Sequence, residues 1–246
     1  MKAVHPAAAL ITGVSRGLGL ALAQQLLSMG SRVYALGRTA PDCLREQAGF
    51  RWAQADLEKT DSVGAACARL LSAGECPDLV ILNAGVLGDL QALSLTPLSA
   101  LRAVMNVNVW ANKPLLDHLL APPAPDQVIA ISSGAAFNGS DGWGAYAISK
   151  SALNLLVRVY AAESPAVHMC ALAPGLIETE MLRSASEDTA SATFAAGMRI
   201  REARKEGRVQ TPEQAARRLI QALPAIRRRP SGSFVDLRDF PGDGNG

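Results

Sequence analysis

Short apolar runs alternate along the chain with stretches in which apolar residues recur every three or four positions. Ala7, Ala8, Ala9, Leu10 and Ile11 read as a buried strand. Leu20, Leu22, Ala23, Leu26 and Leu27 then fall at helical spacing up to Gly30, where the helix is expected to stop. Residues 32–36 predict a second strand ending at Gly37-Arg38, and residues 50–55 a third ending at Asp56-Leu57. A helix carrying Val63, Cys67, Leu70 and Leu71 leads to a fourth strand, 78–82, which runs into Asn83-Ala84-Gly85. One long helix is expected from about residue 99 to 120, closed by a proline-rich turn. Residues 128–131 form a fifth strand ending in Ser132-Ser133. A helix from about Gly144 carries Tyr146, Lys150, Leu153, Leu156 and Val157, and a sixth strand, 167–172, ends at Pro174-Gly175. This alternation predicts an α/β fold, a parallel sheet covered by helices on both faces.

There is no internal repeat and no linker long enough to divide the chain, so a single domain over residues 1–240 is expected. The tail, 241–246, reads as disordered. Residues 178 to 209 break the alternation: they are helical in propensity, rich in Ala, Glu and Arg, and follow a strand's carboxyl end. Ligands of open α/β sheets sit outside those ends, so this segment is expected to be a helical lid over a substrate.

Composition narrows the function classes. The chain has 246 residues, 49% of them apolar, which is enough to fill a large core. A net charge of +2 gives no general attraction to nucleic acid or to an acidic membrane. The basic run Arg199, Arg201, Arg204, Lys205, Arg208 and the triplet Arg227-Arg228-Arg229 read as solvated surface. The four cysteines are scattered, with neither a C-x-x-C pair nor a histidine cluster beside them. That pattern predicts reduced thiols in a cytoplasmic protein and no metal site. No window approaches the ~20 apolar residues of a membrane span, and Pro6 interrupts the mildly apolar start.

The chemistry begins at Thr12-Gly13-Val14-Ser15-Arg16-Gly17-Leu18-Gly19, a glycine-rich turn between a strand and a helix. Glycines let backbone approach a pyrophosphate, and the helix's unpaired N–H groups and dipole favour its charge. The spacing is G-x-x-x-G-x-G rather than G-x-G-x-x-G. Further on, polar residues gather at predicted strand ends: Asp56, Asn83, Ser133 and the Pro174-Gly175 turn. Tyr146 and Lys150 follow, four apart and therefore on one helix face.

With these residues in this order the chain resembles the short-chain dehydrogenase/reductase family over nearly its whole length. The motifs are Thr12-Gly13-x-x-x-Gly17-x-Gly19, Asn83-Ala84-Gly85, Asn108, Ser133, Tyr146-x-x-x-Lys150 and Pro174-Gly175-x-x-x-Thr179. The resemblance implies a Rossmann-type doubly wound sheet and a catalytic tetrad of Asn108, Ser133, Tyr146 and Lys150. Asn106 competes for the first role, but the pattern Val107-Asn108-Val109 favours Asn108. Tyr146 would donate a proton to the developing alkoxide, and Ser133 would hydrogen-bond the substrate oxygen. Lys150 would hold the nicotinamide ribose, and its ammonium is expected to bring the phenol below its ordinary value of about 10. Asn108 would hold a water linking Lys150 to solvent. The expected coenzyme contacts are Gly13, Ser15, Arg16, Gly17, Leu18 and Gly19; Gly37 and Arg38; Asp56 and Leu57; Asn83, Ala84 and Gly85; Tyr146 and Lys150; and Pro174, Gly175, Ile177 and Thr179. Family members preferring NAD carry an acidic residue where Gly37 stands. With Arg38 next and Arg16 in the turn, a 2′-phosphate is the better match, so NADP(H) is expected.

Within the family the chain looks most like the sepiapterin reductase and benzil reductase group. Residues 83–89, 142–146 and 232–236 carry that likeness. It implies reduction of a small carbonyl compound, a ketone or vicinal diketone. Leu87, Trp143 and Tyr146 would line the pocket beside Ser133, and Asp236 would anchor a pterin-like edge. The alternatives are a 3-oxoacyl-thioester reductase, docking a carrier protein on its basic run, and a non-catalytic NADPH-sensing regulator. The resemblance further implies a homodimer or homotetramer built on the helices after Ser99 and Gly144.

Overall fold

A computed structural model describes residues 5–71, 75–139, 141–187 and 194–240. Seven strands form one all-parallel sheet: β1 (Ala8–Thr12), β2 (Arg32–Gly37), β3 (Phe50–Gln54), β4 (Leu79–Leu82), β5 (Gln127–Ile131), β6 (His168–Ala173) and β7 (Ser233–Asp236). Their order is β3-β2-β1-β4-β5-β6-β7, the doubly wound arrangement that the resemblance implied. β1, β4 and β5 are buried along their whole length, which is why they read as continuous apolar runs rather than alternating ones.

Each face of the sheet carries its own core. On one face, Leu18, Leu22 and Leu26 of α1 (Gly17–Ser28) meet Leu219 and Leu223 of α8 (Pro212–Ile226). On the other, α2 (Val63–Leu70), α4 (Asn112–Leu119) and α5 (Gly144–Glu163) contribute Cys67, Leu115, Leu116, Leu153 and Val157. Successive crossovers leave in opposite directions from β1 and β4, so the sheet's switch point lies between them. The glycine turn after β1 and Asn83 after β4 flank that crevice.

The structure departs from expectation in three places. The long helix is broken into α3 (Leu98–Met105), a π-turn at Asn106–Trp110 and α4. In that wide turn the Ala111 N–H reaches the Asn106 carbonyl at 2.8 Å, and one extra residue bulges where Asn108 stands. Within 178–209, expected as one helical insertion, the described residues form two helices, α6 (Glu180–Glu187) and α7 (Ala195–Lys205). Last, α8 and β7 complete the fold beyond the six predicted strands. Thr211 and Gln214 form a reciprocal capping box at the start of α8, and the apolar stripe Ala215, Leu219, Ile220, Leu223 follows at helical spacing. The tail expected to be disordered, 241–246, lies outside the described residues.

Candidate active site

The glycine turn is shaped by close approaches. Gly13 and Gly17 adopt φ of +74° and +59°, the left-handed region that glycine enters without a Cβ clash. Gly19 packs so tightly that a Cβ on it would lie 2.1 Å from the Gly13 carbonyl oxygen and 2.5 Å from Asn83 Nδ2. Asn83 Nδ2 donates to the carbonyls of Thr12 (2.9 Å) and Gly13 (3.0 Å), while the buried Thr12 hydroxyl accepts from the N–H groups of Asn83 and Ala84. Asn83-Ala84 thus locks the turn across the switch point. Arg16 precedes α1 without a side-chain cap, and the first turn of that helix holds no acidic residue. Its open N–H groups and dipole fit a pyrophosphate. Ser15 and Arg16 are exposed at this end, and Leu18 is buried behind it.

On the β5 side, Ser133 ends the strand and its Oγ accepts from the Ala135 N–H at 3.1 Å. Tyr146 and Lys150 rise from the first turns of α5, one above the other, and both are buried. Tyr146 is hydrogen-bonded to Ser133, and Trp143 stands edge-on to its ring with centroids 5.9 Å apart. Lys150 Nζ donates to the Ile131 carbonyl at 2.7 Å and lies 5.5 Å from the centre of the Tyr146 ring. A Cβ at Gly85 would come within 3.4 Å of Lys150 Nζ and 3.3 Å of Asn108 Oδ1. The glycine of Asn83-Ala84-Gly85 is therefore what lets this loop close over the lysine.

One sequence expectation needs correction here. Tyr146 was expected below its ordinary value, yet burial pushes it up to about 12, outweighing the hydrogen bond from Ser133. The same burial brings Lys150 down to about 8, because each group's charged form is the one that loses water. The Asn108 amide is held on both sides, with Oδ1 accepting from the Val86 N–H at 2.8 Å and Nδ2 donating to the Val86 carbonyl at 2.9 Å and to Ser149 Oγ at 2.8 Å. A side chain so occupied braces the Gly85-Val86 loop against α5. Its main-chain carbonyl accepts from Asn112 Nδ2 at 3.0 Å and, like Oδ1, keeps a second lone pair.

Around the crevice the remaining candidates separate. Gly37 ends β2 beside Gly13, and Arg38 is exposed with its side chain unpaired among the described residues. Asp56 and the buried Leu57 follow β3, with Asp56 Oδ1 accepting from the Glu58 N–H. Arg16 forms an ion pair with Glu180, the first residue of α6. Pro174 and Gly175 lead from β6 into the segment before α6, where Gln210 Nε2 donates to the Pro174 carbonyl at 2.7 Å and Ile177 pairs with Gln210. Thr179 comes within 3.1 Å of where a Cβ on Gly17 would be, so the segment before α6 packs on the glycine turn. Leu87 and Trp143 join Leu176 and Val209 around Leu182 of α6 and Ile200 of α7 in one apolar patch.

Asp236 fits its expected role least well. It ends β7 beside Ala173, but its carboxylate is gripped by Arg238 (2.9 and 2.6 Å), which holds it below the usual carboxylate range. The basic run of α7 is also not simply solvated. Arg204 bonds Glu178 and Ser186, and Arg201 bonds the Ser186 carbonyl, tying α7 to α6.

The family profile described as short chain dehydrogenase matches residues 7–190. The chain belongs to the short chain dehydrogenase family. It is an oxidoreductase of the kind that acts on alcohol or ketone groups, and its family uses NAD(P). A sepiapterin reductase of Xenopus laevis is 32% identical over 252 residues, 93% of this chain and 94% of that protein. A benzil reductase ((S)-benzoin forming) of Bacillus subtilis (strain 168) is 29% identical over 247 residues, covering 94% and 98%. A short chain dehydrogenase of Shigella flexneri 2a, solved in complex with NADP, superposes with a TM-score of 0.75 at 26% identity, covering 94% of this chain and 96% of that one. Among the described residues no helix is long and apolar enough to cross a membrane, and no group of His, Cys, Asp and Glu could hold a metal ion.

Sequence reasoning passed over two residues that position the site of this dehydrogenase. Ser149, fully buried, accepts from Asn108 and donates to the Tyr146 carbonyl at 2.7 Å. Asn112 supports the Asn108 carbonyl from one helical turn on. Both sit one residue or one turn from a motif residue, the only signal the chain offers for them.

Proposed function

We propose that this dehydrogenase is an NADPH-dependent carbonyl reductase acting on a small ketone or vicinal diketone. The observation that carries the reading is the buried Tyr146–Lys150 pair with Ser133 hydrogen-bonded to the phenol, on the same sheet edge as an uncapped, acid-free helix N-terminus. When bound, NADPH supplies the hydride. Gly13, Gly17, Gly19 and the first turn of α1 would hold its pyrophosphate, Asn83-Ala84-Gly85 the adenosine side, and Thr179 with Lys150 the nicotinamide end. Ser133 would hydrogen-bond the substrate carbonyl, and the Tyr146 hydroxyl would give its proton to the oxygen as negative charge develops there. The Lys150 ammonium would stabilise the phenolate left behind. Asn108, braced on Val86 and Ser149, would keep the loop over Lys150 in place.

Arg38 supports a 2′-phosphate, and no carboxylate stands at Gly37 to repel one. Arg16 could join Arg38 only by exchanging Glu180 for the phosphate. The lid reading of residues 178–209 is supported by the apolar patch that α6 and α7 share with Leu87 and Trp143. A homodimer through α5 is supported by the exposed Ile148, Leu155 and Val159 on that helix and by Trp110 on the π-turn. With Arg201 and Arg204 committed inside the lid, the basic run offers less to a carrier protein than the thioester reading requires.

Oxidation of NADPH should be followed with sepiapterin, benzil, a simple vicinal diketone and an acetoacetyl thioester, with NADH in parallel. Turnover of the pterin or a diketone is expected, with NADPH preferred by roughly 10- to 100-fold, the value of one or two charge-assisted hydrogen bonds. Preference for the thioester would replace this reading, and parity of NADH with NADPH would remove the role of Arg38.

The pH profile supplies a second test. Lys150 carries its charge below about 8 and loses it above, while Tyr146 keeps its proton up to about 12. Reduction is therefore expected to decline as pH rises through about 8, with no Tyr146 limb before strongly alkaline pH. The contribution of Lys150 to stability runs the other way. The unfolded chain keeps that proton to about 10.5 and the folded one only to about 8, so between these values this group favours folding increasingly as pH rises. A rate that is flat from pH 7 to 10 would contradict the assignment of Lys150.

A further inference from the structure

Four buried side-chain polar atoms have no hydrogen-bond partner among the described residues: Trp52 Nε1, Trp143 Nε1, Asn154 Nδ2 and Ser233 Oγ. Of these only Trp143 touches the reactive phenol. It stands three residues before Tyr146, so both side chains leave the start of α5 on one side, and its ring meets that of Tyr146 at 88°. The backbone pins it there: the Gly142 carbonyl accepts from the Gln91 N–H at 3.2 Å, and the Trp143 carbonyl from the Ala147 N–H at 2.8 Å. The apolar cluster it joins (Leu87, Leu90, Leu176, Val209, Leu182 and Ile200) offers no acceptor, and its nitrogen has none elsewhere among the described residues.

An indole N–H left without an acceptor in such surroundings costs about 1–3 kcal/mol. Phenylalanine would fill the wall without that penalty, so the fold itself gains nothing from the nitrogen. We propose that the Trp143 N–H binds the second oxygen of a substrate bearing two oxygens on adjacent carbons. The first oxygen would lie on Tyr146 and Ser133 and the second on Trp143, whose ring centre is 5.9 Å from that of Tyr146. Leu182 and Ile200 of the lid close this corner. The second bond would form away from water, where a missing acceptor discriminates most strongly. The inference rests on the reductase reading and names the feature of the substrate that the site selects. Asp236, already held by Arg238, is not required for it.

The test compares benzil with deoxybenzoin, which keeps both phenyl rings and lacks one carbonyl. In Trp143→Phe, kcat/KM for benzil is expected to fall about tenfold, mainly through KM, as loss of one buried hydrogen bond predicts. The value for deoxybenzoin should stay within about twofold, and coenzyme affinity should not change. Equal loss on both ketones, or no loss on either, overturns the role of Trp143 and leaves the reductase reading intact. Reduction of neither ketone by the parent enzyme overturns that reading together with this one. A measurement that needs no Trp143 variant uses the indole N–H resonances of the three tryptophans in Tyr146→Phe with NADPH bound. Benzil should move the Trp143 signal downfield and deoxybenzoin should not. An identical response to the two ketones overturns the proposal.

Discussion

Replacing Tyr146 by Phe is expected to lower turnover by about 10³-fold or more while leaving coenzyme affinity within about twofold of the parent. The substitution keeps the ring and with it the edge-on contact to Trp143 and the position under Lys150 Nζ. What goes is the hydroxyl, hydrogen-bonded to Ser133, whose proton the proposed mechanism gives to the substrate oxygen. Burial holds Tyr146 protonated to about 12, so at neutral pH the parent always has a proton to give, and the variant has none. Ser133 cannot replace it, since a serine hydroxyl donates a hydrogen bond but gives up its proton far less readily. The glycine turn, where the coenzyme's charge would sit, is untouched. Steady-state rates with a coenzyme titration on one preparation check this. Turnover near the parent level would remove Tyr146 from the chemistry, and lost coenzyme binding would show that the phenol serves binding instead.

The sheet was legible because its strands are buried on both faces and so read as unbroken apolar runs, as in Leu79–Leu82. The grouping of Ser133, Tyr146 and Lys150 was legible because residue type and spacing go together: Tyr146 and Lys150 share a helix face, and Ser133 follows a strand end. Less visible were features set by backbone or by desolvation. Nothing in Asn106-Val107-Asn108-Val109-Trp110 announces a π-turn, because the extra residue is accommodated by packing against Val86 and Ser149 rather than by a helix breaker. The direction of the Tyr146 shift was misjudged because a neighbouring ammonium can be read from a sequence and burial cannot. The pairing of Asp236 was hidden for a related reason: its neighbour Arg238 was in plain view, but only the fold shows the two side chains clasped. For α8 the signal was present, in the Thr211–Gln214 box and the stripe after it.

Gly19→Ala is expected to be the most damaging single-methyl change in the molecule, destabilising the fold by about 3 kcal/mol and weakening coenzyme binding by about 100-fold or more. Ordinarily Ala is favoured over Gly inside a helix by up to about 1 kcal/mol. Here the added carbon would lie 2.1 Å from the Gly13 carbonyl oxygen and 2.5 Å from Asn83 Nδ2. Neither can retreat cheaply. The Gly13 N–H is bonded to the Leu36 carbonyl at 2.9 Å, and Asn83 holds the carbonyls of Thr12 and Gly13. To admit a methyl, α1 must move away from the turn, taking with it the N–H groups that would face the pyrophosphate. Gly30→Ala makes the contrast. That residue has φ of +86° with no atom within 4 Å of the new Cβ, so it should suffer only backbone strain of about 1–2 kcal/mol and leave the coenzyme site alone. Thermal melts and coenzyme titrations of the two variants separate the causes. A fall of about 6–12 °C in Tm with lost binding is expected for Gly19→Ala, and a smaller fall with binding kept for Gly30→Ala. Retained affinity in Gly19→Ala would mean that the coenzyme does not bind at this turn.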